Sequence, residues 1–256
     1  MSAAPVALVT GASRGIGRRL AVDLAREGYD VVCAARSSER RPSKLPGTVE
    51  QTAEEVAKTG RRAWPLALDV RDEEAVVRAV EQLDREWGRC DLLVNNAAVA
   101  PELPALRDTT KRWRLGVDVN LNGPFYLIYH LAPRMIAAGG GRIVNISSGA
   151  AQAPEFGRPS YTVTKAALEA LTQCLAFELR GRQIAVNCVR LDLMVWTEGF
   201  AATLADPESF GMEDAVIMSD AVLWLARQPL DYSGHLLSIS ELRARGVVRK
   251  ETPAKK

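Results

Sequence analysis

The feature that most constrains this chain is a rhythm: apolar runs of strand length alternate with longer amphipathic stretches from residue 6 to about residue 239. "VALVT" leads into an amphipathic segment over 16–27, and "DVVCAA" into a helix near 52–58. "RAWPLAL" precedes a helix over 73–87, and "DLLVN" a long helical segment over 110–138. "RIVNIS", a helix over 160–180, "IAVNCV", a helix near 213–227 and "HLLSIS" complete the series. Strands that are apolar throughout are buried on both faces, and the helices between them supply the cover. The pattern predicts an α/β fold built on one parallel sheet of about seven strands.

Length and charge narrow the class. A chain of 256 residues that is 47% hydrophobic can bury one substantial core. No internal repeat or Gly/Ser linker divides it, so 1–241 reads as a single domain, and the charged tail over 242–256 is expected to fray. The 33 basic and 31 acidic residues are interspersed and leave a net charge of only +2, which argues against nucleic-acid or membrane partners and favours a small molecule. Cys33, Cys90, Cys174 and Cys188 form no CxxC pair, and His130 and His235 are isolated, so neither a metal site nor a disulfide framework is indicated. No apolar run reaches the roughly 18 residues of a membrane span. "MSAAP" runs directly into the first strand without a signal-peptide core, so a cytoplasmic protein is expected.

The turn after the first strand reads "TGASRGIGRRL". Gly11, Gly15 and Gly17 could simply relieve crowding where strand meets helix. Their position also lets backbone N–H groups and a helix N-terminus meet a pyrophosphate with no side chain in the way. The surrounding βαβ pattern favours the second reading: a dinucleotide held by Gly11, Ser13, Arg14, Gly15, Ile16 and Gly17.

In "YTVTK", Tyr161 and Lys165 stand four apart and so share one helix face. A phenol has a pKa of about 10, and lowering it by about three units takes roughly 4 kcal/mol. One ammonium about 4 Å away at an effective dielectric near 20 supplies about that much. The pair can act as a general acid/base toward a carbonyl or alcohol oxygen. Taken alone, the spacing is also what any amphipathic surface helix offers.

"TGASRGIG", "NNAA" at 95–98, "NLNG" around Asn120, "RIVNISS" ending at Ser148 and "YTVTK" occur in this order. Together they resemble the short-chain dehydrogenase/reductase family over most of the chain. The resemblance implies a Rossmann-type, doubly wound sheet ordered 3-2-1-4-5-6-7 and hydride transfer with a nicotinamide cofactor. It makes Tyr161 the proton-exchanging residue, with Ser148, rather than Ser147, bonding the reacting oxygen. Lys165 depresses the phenol pKa and holds the cofactor ribose, and Asn120 retains a water that links Lys165 to solvent. Asn120 could instead satisfy backbone groups at a helix kink. Asn96 and Ala97 match the loop beside the adenosine ribose and nicotinamide, with Ala98 where a glycine is usual. Asp69, followed by Val70, matches a contact to the adenine amino group and could also cap a helix. The family commonly forms homodimers or homotetramers.

Cofactor choice turns on the end of the second strand. Relatives that use NAD place a carboxylate where this chain has Ala35, whereas Arg36 follows here and Arg14 sits in the glycine loop. Two guanidinium groups flanking a 2′-phosphate imply NADP(H) as the preferred cofactor, with NAD(H) possible.

Two segments depart from the family pattern. Leu191 and Asp192 replace the Pro-Gly turn after the sixth strand, and Thr197 stands one position late for the family threonine. Arg190 or Asp192 could face a polar substrate or sit in a structural salt bridge. The insertion "SSERRPSKLPGTVEQTAEEV" resembles the hydroxysteroid dehydrogenase-like branch. The substrate loop, about 192–211, carries Trp196, Phe200, Leu204 and Phe210, which suits either an apolar lid or packing on the sheet. The sequence thus points to an NADPH-dependent carbonyl reductase for an apolar ketone or aldehyde, working reversibly as an alcohol dehydrogenase. The alternative is a nucleotide-binding regulatory or scaffolding protein with little turnover.

Overall fold

The computed structural model describes residues 4–100, 102–154, 156–206 and 209–250. Seven parallel strands form one sheet in the order β3-β2-β1-β4-β5-β6-β7. They are β1 (Val6–Thr10), β2 (Asp30–Ala35), β3 (Ala63–Ala67), β4 (Leu92–Asn95), β5 (Gly141–Ser148), β6 (Ile184–Leu191) and β7 (Leu236–Ser238). The helices that position the site are α1 (Gly15–Arg26), α2 (Val49–Ala57), α3 (Glu73–Trp87), α4 (Thr110–Val117), α5 (Gly123–Ala137), α6 (Pro159–Glu178), α7 (Glu198–Ala201), α8 (Val216–Arg227) and α9 (Ile239–Ala244). This is the doubly wound Rossmann-type arrangement, in the strand order that the family resemblance implies.

Side chains two apart on a strand share a face. Val6 and Leu8 of β1 enter one core with Val80 and Leu83 of α3 and Leu127 and Leu131 of α5. Ala7 and Val9 enter the other, with Leu20 and Leu24 of α1 and Ile217 and Val222 of α8. Both faces are therefore buried, which explains the unbroken apolar runs. Pro65 lies in β3, an edge strand, where a missing N–H costs no ladder bond on the solvent side.

Helix starts follow side-chain chemistry. Thr48 and Gln51 form a capping box on α2, Asp72 caps α3 through the Ala75 N–H at 3.0 Å, and Thr109 caps α4. α1 begins differently, as do α5, α6 and α8: its N-cap residue Arg14 makes no side-chain cap bond.

Three sequence expectations change. The segment over 110–138 is not one helix, because a π-helical turn, Asp118–Asn122, joins α4 to α5. The last apolar run ends as a strand at Ser238, whose hydroxyl forms a capping box with Glu241 and starts α9. The tail does not fray where it is described: Leu242 and Val248 are buried in the core, and Arg249 pairs with Asp220 at 2.6 Å. Residues 251–256 lie outside the described residues.

Candidate active site

Strand order reverses between β1 and β4, whose carboxyl ends open a crevice where such sheets bind ligands. The glycine loop forms one wall. Gly11 and Gly15 adopt φ of +69° and +54°, a region other residues rarely enter. Gly17 answers a different need, since a Cβ there would lie 2.2 Å from the Gly11 carbonyl oxygen and 2.6 Å from Asn96 Nδ2. Thr10 locks this loop to the one after β4: its Oγ1 accepts from the Asn96 and Ala97 N–H groups at 3.0 Å each, and Asn96 Nδ2 donates to the Thr10 carbonyl at 2.8 Å.

A cavity of about 370 Å³ lies against this wall. Gly11, Ser13, Arg14, Gly15, Ile16 and Gly17 line one side, Ala35 and Arg36 another, and Val70, Asn96, Ala97 and Ala98 the floor. These residues fit a dinucleotide. The first turn of α1 presents amides that no side chain of its own caps, and a helix N-terminus of this kind favours anions.

Two residues assigned to this cavity are held by other contacts, although Arg14 still lines it. Arg14 Nε donates to the Pro46 carbonyl at 2.7 Å, while Nη2 donates to Ser43 Oγ at 2.6 Å and to the Leu45 and Gly47 carbonyls at 3.1 Å each. The guanidinium thus clasps the insertion after β2, which curls back to present carbonyls to a fork of five donors. Burial lowers the Arg14 pKa, with Glu198 opposing and Arg36 reinforcing that shift. Arg36 is the exposed guanidinium on the cavity rim. Asp69 neither caps a helix nor lines the cavity. Its carboxylate binds Arg71, with Nη2 at 2.6 Å and Nε at 2.9 Å, and this bond holds its pKa below the usual range.

A second cavity, of about 490 Å³, shares Ile16, Ala98, Thr197 and Gly199 with the first. Ser148 and Tyr161 stand on its wall together. Ser148 ends β5 and accepts the Ala150 N–H at 3.3 Å, which fixes its hydroxyl at the start of a 3-10 turn. Ser147 points the other way and donates to Glu169 at 2.7 Å inside the protein.

Lys165 lies beneath this wall, 2% exposed, with Nζ 5.7 Å from the centroid of the Tyr161 ring. A buried ammonium needs an acceptor, and the Ile146 carbonyl provides one at 2.6 Å. Burial pushes the Lys165 pKa down to about 8, against smaller opposing effects of Cys188 and Glu169. Lys165 lies behind the walls of the two cavities and lines neither of them. Asn120, fully buried in the π turn, brackets Val99: Oδ1 accepts its N–H at 2.8 Å and Nδ2 donates to its carbonyl at 2.9 Å. The backbone-satisfying reading of Asn120 therefore describes its side chain, and π turns recur at functional sites.

Around the second cavity, Phe200 is the one aromatic of the expected lid that lines it, joined by Leu193, Met194 and Val195. Trp196 faces a separate groove beside Arg18, Arg19 and Arg26, and Phe210 is 44% exposed. Glu102, Arg158 and Asp192 add charge to the lining. Asp192 accepts the Ser240 N–H at 3.1 Å, which ties the loop to α9 in place of a Pro-Gly turn. Arg190 is salt-bridged: its Nη2 and Nε reach Glu169 at 2.7 and 2.9 Å, with both residues buried. Sequence reasoning missed Glu198, whose carboxylate accepts the Gly15 N–H at 2.9 Å, because a single acidic residue on a lid carries no local signature.

Comparison with known proteins agrees with this geometry. The family model for short chain dehydrogenases matches residues 5–207. The chain belongs to that family of oxidoreductases. Hydroxysteroid dehydrogenase-like protein 2 of Danio rerio is 31% identical over 231 residues, covering 90% of this chain and 55% of that protein. The chain therefore spans about half the length of such relatives. A metagenomic short-chain oxidoreductase in complex with NADP is 31% identical with a TM-score of 0.76, covering 91% of this chain and 96% of that one. NAD+-bound xylitol dehydrogenase is 25% identical with a TM-score of 0.82, covering 92% and 97%. Among the described residues, no helix is long and apolar enough to cross a membrane, and no group of three metal-ligating side chains occurs.

Proposed function

We propose that this protein is an NADP(H)-preferring reductase of medium-sized, largely apolar ketones or aldehydes, reversible as an alcohol dehydrogenase. The observation that carries the proposal is the placement of Ser148 and Tyr161 on one wall of a cavity that runs into the glycine-loop cavity, with the Lys165 ammonium buried under them. A bound nicotinamide dinucleotide would supply the hydride. Tyr161 gives its phenolic proton to the carbonyl oxygen, so carbon and oxygen together gain the two hydrogens of an alcohol. Ser148 holds that oxygen by a hydrogen bond. Lys165 makes the phenol a stronger acid because a positive charge in a poorly solvated site acts over several ångströms with little screening.

Arg36 and Ser37, with no carboxylate at Ala35, support the preference for the 2′-phosphate. The four cysteines, all free, suit a cytoplasmic setting. Exposed Phe125 and Tyr129 on α5 and Phe177 on α6 support a homodimer or homotetramer.

The test is a panel of carbonyl compounds followed by NADPH absorbance, with wild type and Tyr161→Phe side by side. General acid catalysis is worth about 10²–10⁴-fold, so kcat should fall by about that much while NADPH affinity stays within about twofold. Wild type that binds NADPH but reduces nothing in the panel would favour the regulatory nucleotide-binding protein. Full activity in Tyr161→Phe would remove the assigned acid.

A further inference from the structure

The amide at the start of α1 already has an anionic partner. Gly15 donates its N–H to Glu198 Oε2 at 2.9 Å across 183 residues of sequence, and Glu198 is the first residue of α7 in the substrate loop. The contact is close along the backbone as well: a Cβ on Gly15 would lie 3.0 Å from both Cβ and Cγ2 of Thr197. Glu198 also acts electrostatically on the Arg14 and Arg18 guanidiniums beside the loop. The carboxylate thus sits where helix N-terminus, glycine-loop amide and flanking cations together favour negative charge.

A dinucleotide seated in the glycine loop places its diphosphate at the same helix end. One N–H serves one strong acceptor, so the carboxylate and the diphosphate compete for it. We propose that Glu198 is an intramolecular stand-in for the cofactor's diphosphate, latching the substrate loop to the glycine loop until the dinucleotide displaces it. This rests on the dinucleotide reading above. The latch has a consequence on the substrate side. Thr197 and Gly199 line both cavities and Phe200 lines the second, so release of Glu198 frees the segment that walls the reacting carbonyl. Cofactor binding and substrate-loop mobility are then one equilibrium.

The test compares NADPH affinity by calorimetry, and hydrogen exchange over residues 196–204, in wild type, Glu198→Ala and Glu198→Gln. A latch closed about nine-tenths of the time weakens apparent affinity about tenfold. Glu198→Ala should therefore bind NADPH about five- to tenfold tighter, Glu198→Gln less so, and the ligand-free Glu198→Ala segment should exchange faster than wild type. Equal or weaker NADPH binding by Glu198→Ala, or unchanged exchange, overturns the latch while wild-type binding leaves the dinucleotide reading standing. If neither wild type nor variant binds NADPH or NADH, that reading falls and the latch with it.

Discussion

The loop after β1 and the loop after β6 meet over Gly15, yet they are held in opposite ways. Residues 10–17 take their turn from their own backbone: two positive-φ glycines bend the chain, a third removes a side chain, and Thr10 then fastens the turn to the loop after β4. The loop after β6 borrows its shape from afar. Arg190 is fixed by Glu169 on α6, Asp192 by the Ser240 amide on α9, Val195 by a bridge to Glu213, and Glu198 by Gly15. A self-shaped loop keeps its ligand site through changes elsewhere, whereas a loop assembled from distant contacts can be retuned one contact at a time.

The largest expected effect falls at the end of β6, where the borrowed loop begins. Arg190→Met leaves Glu169 buried without its cation, and breaking such a pair costs about 3–5 kcal/mol. Urea unfolding should show that loss, while NADPH affinity of the folded variant stays within about twofold. A collapse of NADPH affinity would mean that the Arg190 pair also supports the glycine-loop site, beyond the Glu198 contact.

Between the loops lies Lys165, and its burial makes stability depend on pH. The folded pKa is down at about 8 against an ordinary 10.5. Below about 8 the lysine is charged in both states, and the folded state bears the full cost of the buried charge. Between about 8 and 10.5 the unfolded chain keeps a proton the folded chain has lost, so this contribution to stability rises with pH. Over pH 8 to 10 the rise is about 2–3 kcal/mol. The difference in unfolding free energy between wild type and Lys165→Met should show it, and parallel pH curves would place the ammonium in a solvated site.

The smallest effect sharpens the glycine-loop side. With Arg14 committed to the insertion, Arg36 is left as the rim charge for a 2′-phosphate. Arg36→Asp should lower the NADPH-over-NADH ratio of kcat/KM by about tenfold, by loss of a charged hydrogen bond and by like-charge repulsion. Wild type preferring NADH, or an indifferent ratio, would return Arg36 to an ordinary surface role. Retained NADPH preference in Arg36→Asp that disappears in Arg14→Gln would shift the assignment to the clasp.

Much of this site was legible because its signals are local. The glycine spacing and the Tyr161 and Lys165 interval each sit within a short window of one or two elements, while Ser148 was picked out by the family resemblance. What escaped were choices among partners. Asp69 could face an adenine, a helix amide or Arg71, and only the fold showed that Arg71, two residues away, takes both its oxygens. The tail over 242–250 looked solvated because its many charges hide two apolar anchors, Leu242 and Val248.

By itself the sequence determined the succession of strands and helices, the burial of both sheet faces, the turn that needs three glycines and the helix that aligns Tyr161 with Lys165. These follow from periodicity and from backbone conformations that only certain residues adopt. The tertiary structure decided which charges are available. Arg14 goes to the carbonyls of the insertion, Arg190 to Glu169, Lys165 to Ile146, and Glu198 to Gly15. A charged group takes whichever partner lowers its desolvation cost most, and that partner is set by where the folded chain brings distant segments together.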